Sequence, residues 1–113
     1  MPVIVRGYTS PNLVLLAYDW AAADLRADFR GFGIERTPGF AGEQRSWLPR
    51  HDGSGGNGAE LDAPIRTFYC WDAGIDERDR GARLQYRVVP VIGPEGSFQL
   101  LDTEAGEVEV RVP

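Results

Sequence analysis

Arg83-Leu84-Gln85-Tyr86-Arg87-Val88-Val89-Pro90-Val91-Ile92 is the longest strand-like run in the sequence, and the fold class follows from how its side chains alternate. Leu84, Tyr86, Val88 and Pro90 fall on one face and Gln85, Arg87 and Val89 on the other, the two-residue period of a strand with one face turned to a core. Gly93-Pro94-Glu95-Gly96 closes the run with a strong turn. Phe98 to Leu101 and Val108 to Val112 add two short strands after it, with Glu107, Glu109 and Arg111 pointing outward in alternation.

The same period runs back toward the N-terminus. Val3 to Tyr8 is β-branched and ends in the turn cluster Thr9-Ser10-Pro11. Asn12 to Trp20 is apolar on both faces (Val14, Leu16 and Tyr18; Leu13, Leu15 and Ala17), the signature of a central strand. Ala21 to Asp28 is the only good helix-forming stretch, and at about eight residues it is too short to stand alone. It is expected as a short helical turn in a loop. Phe29 to Arg36 alternates again, with Phe32 and Ile34 on one face. Thr37-Pro38-Gly39 ends it, and Gln44 to Leu48 can return antiparallel. His51 to Asp62 holds four glycines within Asp52–Gly58 and is expected as a polar loop. Ile65 to Trp71 is an aromatic-rich strand. Asp72 to Gly81, with six charged residues in ten, is expected as a solvated corner. Seven or eight short strands separated by Gly/Pro turns predict an all-β, antiparallel two-sheet sandwich over residues 1–113, a single domain.

Composition narrows the chemistry. In 113 residues there are 17 acids and 12 bases, a net charge of −5, with 42% apolar residues. Every base is Arg. With no Lys, one His and one Cys, the chain lacks the residues for a Lys Schiff base, a Walker A loop, a two-His or multi-Cys zinc site, or an intrachain disulfide. The acidic balance argues against general nucleic-acid binding. The longest apolar run, Leu13 to Tyr18, is six residues, so neither a signal peptide nor a membrane span is expected. The single Cys fits a reducing, cytoplasmic compartment. Abundant Arg, Ala, Gly and Pro without Lys match the coding bias of a high-GC bacterium.

Gly81 through Val91 resembles the sixth strand of fibronectin type III domains, where a glycine corner leads into alternating aromatics and valines. Leu16-Ala17-Tyr18 is similar to the family's Leu-x-Trp, and Phe32-Gly33-Ile34-Glu35-Arg36 to its third strand. The resemblance implies an immunoglobulin-like sandwich. One departure stands out. Leu84 occupies the place, three after the corner glycine, of the tyrosine whose hydroxyl normally bonds back to the corner. A narrower resemblance joins Gly31–Thr37, Ser46-Trp47-Leu48-Pro49, Ala63–Phe68 and Trp71-Asp72. In this order they look like the N-terminal sandwich domain of large bacterial phospholipase D-like proteins. It implies that this chain is the N-terminal part of a longer polypeptide, an expectation that its end just after a strand, at Val112-Pro113, also suggests. It further implies a catalytic part built on two His-x-Lys-x4-Asp motifs. Without Lys, none of those catalytic residues has a counterpart here.

Candidate residues are few. His51 beside Asp52 is the one group with an ordinary pKa near neutrality, but sequence neighbours seldom orient one another, and an exposed loop histidine is expected. Ser46, Ser54 or Cys70 would need that histidine as base, and Cys70 between Tyr69 and Trp71 is expected buried and inert. Asp72, Asp76, Glu77 and Asp79 could gather a hard cation, as could Asp52, Asn57, Glu60 and Asp62. Neither set has calcium-loop spacing, and Arg78, Arg80 and Arg83 interleave the first as ion-pair partners. Gly55-Gly56-Asn57-Gly58 could cradle an anion, but lacks a strand-to-helix setting. Tyr18, Phe32, Phe68 and Tyr86 are expected in the core, and Trp47, near the glycine loop, is the candidate partner contact. No catalytic residue, cofactor or metal is predicted. The expected function is a non-catalytic accessory domain that docks to, positions or recruits partners for a neighbouring catalytic domain of the same chain or another protein. The alternatives are a stand-alone carbohydrate- or protein-binding module using exposed aromatics, and a small hydrolase using paired carboxylates.

Overall fold

Alternating apolar and polar side chains bury only one edge of the pleat, so each such strand needs a neighbour beside it and a layer beneath it. A computed structural model, describing residues 2–40, 43–48, 64–75, 77–94 and 97–113, meets both needs with antiparallel pairing. Among these residues the strands are β1 (Ile4–Ser10), β2 (Leu13–Asp19), β3 (Phe29–Thr37), β4 (Ser46–Trp47), β5 (Tyr69–Asp72), β6 (Arg83–Ile92), β7 (Gln99–Leu100) and β8 (Gly106–Arg111). One sheet has the order β1-β2-β5. The other runs β4-β3-β6, with β7 and β8 following one another along the edge of β6 opposite β3. The result is the expected all-β two-sheet sandwich, and β2 is the central strand of its sheet.

Val14, Leu16 and Tyr18 of β2 and Cys70 of β5 meet Phe32 and Ile34 of β3 and Leu84, Tyr86 and Val88 of β6 in one buried cluster. Tyr18 packs edge-on against Phe32, with ring centroids 4.8 Å apart. Tyr18, Phe32 and Tyr86 are therefore core residues as expected. Phe68 is not. It is 43% exposed and reaches the core only by an edge contact to Phe32 at 5.6 Å. The cause is a break in the predicted strand over Ile65 to Trp71. Ile65 makes a bridge to Phe32 in one sheet, while Tyr69 onward pairs with β2 in the other. Phe68 lies on the crossing between them. The helix-forming stretch at Ala21 gives a single 3-10 turn, Ala23–Leu25.

The corner before β6 is held by backbone. Gly81, at φ +79°, donates to the carbonyl of Val112 and Val112 donates to that of Ala82, both at 2.9 Å. These bonds serve where the corner tyrosine would, and Leu84 is free to be core.

The larger correction concerns Asp72 to Gly81. Its first residue is not solvated. Asp72 faces inward from β5 at 2% exposure, and Arg36 faces inward from β3, equally buried. Arg36 Nη1 donates to Asp72 Oδ2 at 2.9 Å and Tyr86 Oη donates to the same oxygen at 2.7 Å, while Gly74 N donates to Oδ1 at 2.8 Å. The rest of the guanidinium is also engaged. Nε donates to the Pro38 carbonyl at 2.9 Å, Nη1 to that of Gly74 at 3.1 Å, and Nη2 lies 3.6 Å from Asp79 Oδ1. Phe40 stacks under the guanidinium at 4.4 Å. A buried charge pair is tolerable only when its spare donors and acceptors are met, and here they are. Ile75 is also buried, while Ala73, Gly74, Glu77, Arg78 and Arg80 are exposed as expected of a solvated corner.

Two outcomes follow for stability. Arg36→Met, which strands the carboxylate, should cost about 3–5 kcal/mol in urea unfolding, and Tyr86→Phe about 1–3 kcal/mol, whereas the double variant Arg36→Met/Asp72→Leu should lose less than Arg36→Met alone. Gly106→Ala drives a methyl into the Val3 carbonyl oxygen and should lower the urea midpoint more than Gly81→Ala, which has open space and loses about 1–2 kcal/mol through its left-handed backbone alone.

Candidate functional site

The residues marked from sequence scatter. His51, Asp52, Ser54, the glycine loop to Asp62, and Asp76 lie outside the described residues. Ser46 is buried, with its hydroxyl 2.9 Å from Glu43 Oε2 and accepting the Phe40 amide at 3.1 Å. Asp72 and Asp79 face Arg36 rather than a common cation position, and among the described residues no cluster of three or more His, Cys, Asp or Glu side chains is arranged to hold a metal.

Cys70 is buried in the sandwich, and burial, aided by the nearby Asp72 charge, pushes its thiol from the ordinary 9.0 up to about 12. The hydroxyls of Tyr18 and Tyr86 are driven up by the same desolvation, with Cys70 adding to the first and Asp72 to the second. These are inert core groups.

Trp47 lines a groove of about 450 Å³ on the outer side of the larger sheet. Its floor is a cross-strand row in which Glu35 pairs with both Trp47 and Arg87, and Arg45, Leu100 and Asp102 form its walls. The charges are internally matched: Arg87 bonds Asp102, and Arg45 Nε lies 3.7 Å from Glu35. Trp47 shows only 8% of its surface, so a molecule in this groove would meet chiefly the charged rim.

The feature that composition and motif reading passed over lies on the other sheet. Because Cys70 and Asp72 point inward, Tyr69 and Trp71 point outward. Strand register places them in rows: Tyr8, Leu15 and Trp71 are cross-strand neighbours, and so are Arg6, Ala17 and Tyr69. Ile4 pairs with Asp19 at one end. Tyr8 is 56% exposed, Leu15 38%, Tyr69 49%, Trp71 42% and Ile4 63%. The Tyr69 and Trp71 rings are near-parallel, 24° apart, with centroids at 6.2 Å. The sequence signal was present in two places. Asn12 to Trp20 is apolar on both faces although only one can meet the opposite sheet, and Tyr69 alternates with Trp71 across an inward cysteine.

Such a face can make apolar and ring-stacking contacts. It joins flat apolar area to one cation, Arg6, and one anion, Asp19. Among the described residues no helix is long and apolar enough to cross a membrane. Comparison of the chain with protein-family models, curated proteins and solved structures finds no match.

The buried acids set the alkaline behaviour. The folded chain keeps protons that the unfolded chain releases, so their contribution is complete below about pH 9 and declines as pH rises toward 12. Urea midpoints should hold between about pH 7 and 8.5 and fall above about pH 9.5, and Cys70 should resist a soluble disulfide reagent until denaturant is added.

Proposed function

We propose that this chain is a non-catalytic accessory domain whose working surface is the outer face of β1-β2-β5. One observation carries the proposal: four large side chains, Tyr8, Leu15, Tyr69 and Trp71, stand together and substantially exposed on a rigid sheet. A sandwich has every reason to cover such residues unless something else covers them in use. Tyr and Trp offer large contact area with few rotatable bonds, which is why they concentrate at recognition sites.

The strand partition supports a fibronectin type III-like, immunoglobulin-like wiring. First, second and fifth strands share one sheet, while third, sixth and last share the other. This partition is similar to the immunoglobulin division, with the fourth strand beside the third. The resemblance to the N-terminal domain of phospholipase D-like proteins supplies the setting, in which the domain recruits a ligand or partner for an attached phosphodiesterase-like part. The lack of Lys fits a division of labour in which chemistry resides in that other part.

The setting is tested by reading the gene on either side of these residues, where a His-x-Lys-x4-Asp pair is expected and its absence would remove the attachment. The surface is tested by substitution. Leu15→Ser and Trp71→Ala should each leave stability within about 1 kcal/mol while weakening binding to the recruited ligand or attached part by about tenfold or more. Equal binding by both variants and the parent chain would rule this face out.

A further inference from the structure

We infer that the β1-β2-β5 face recognises a neutral, extended pyranose polysaccharide; this rests on the binding role proposed for that face. Size is the first argument. Three strands and three side-chain rows span about 10 Å by 14 Å between outermost positions, a few hundred Å² with side chains included. A stable protein interface buries about 800 Å² on each partner. The platform is too small for that and fits a few sugar rings.

Spacing is the second. Tyr8 and Trp71 lie in one row with Leu15 between them, two strand spacings or about 10 Å apart. Alternate units of an extended β-linked pyranose chain repeat at a comparable distance, so Tyr8 and Trp71 can each meet the apolar C–H face of one unit while Leu15 lies beneath the unit between. Tyr69 stacks against Trp71 with ring centroids 6.2 Å apart, which holds the Trp71 ring in place beside that row.

Charge is the third. Among the described residues the outward positions of these three strands carry one Arg and one Asp, Arg6 and Asp19, both exposed and suited to sugar hydroxyls. The chain as a whole is at −5, which disfavours an anionic polymer. An uncharged polysaccharide satisfies both conditions.

The test uses the purified chain with soluble hexasaccharides of β-1,4-linked glucose, N-acetylglucosamine and xylose, followed by calorimetry and tryptophan fluorescence. At least one is expected to bind with a Kd in the micromolar to millimolar range and to perturb Trp71 emission, since Trp20 and Trp47 are buried. Trp71→Ala and Tyr8→Ala should each weaken it by about tenfold or more, whereas the ring-retaining Trp71→Phe should lose less. No binding by any of the three sugars, or binding indifferent to Trp71→Ala, overturns the inference. If the sugars fail while Trp71→Ala still weakens binding to a protein partner or the attached part, the glycan is wrong and the surface stands. If Trp71→Ala changes neither, both are wrong.

Discussion

The bridge from Arg36 through Asp72 to Tyr86 is the constraint on which the rest of this sandwich depends. It joins the β3 and β6 side of the molecule to β5 on the other, so the two sheets are linked by directional bonds as well as by apolar contact. A charge pair at 2% exposure has no net advantage over a well-packed apolar pair, but it is intolerant of misalignment. A one-residue slip of β5 would turn Asp72 to solvent and leave Arg36 without its partner. Register there is thus defined more sharply than four residues of pairing would define it.

That register has a consequence on the opposite side of the strand. With Cys70 and Asp72 committed to the interior, Tyr69 and Trp71 must face out, and β2 and β1 bring Leu15 and Tyr8 beside them. The exposed aromatic platform is the outer side of the buried ion pair. Core polarity and the exposure of the aromatics are coupled through a two-residue period.

Much of the fold was legible because alternation is a local property. β3, β6 and β8 fall where Phe32 and Ile34, Leu84 through Val88, and Glu107 and Glu109 indicated. The inertness of Cys70 followed from its place in a strand. Other features were illegible for reasons equally physical. Asp72 opens a charged stretch and looked solvated, because its partner is 36 residues earlier and a long-range ion pair leaves no local mark. Phe68 looked like core because the crossing between sheets after Ile65 does not interrupt the apolar pattern. Trp47 stood out by its place near the glycine loop, while the exposed pair Tyr69 and Trp71 did not, since an aromatic in a strand is equally consistent with either face.

The residue order alone dictated most of the strands, though not the break after Ile65, that they pair antiparallel in two layers, and that a chain without Lys and with one His lacks several catalytic chemistries. Period and composition are read from neighbours a few positions apart, so folding need not be known. Which side of each strand faces the core was settled by packing in three dimensions, as was which carboxylate found a guanidinium and which aromatics were left outside. Those depend on contacts between distant residues, and it is these contacts that turned an ordinary alternation at Tyr69–Asp72 into a buried bridge on one face and an exposed aromatic row on the other.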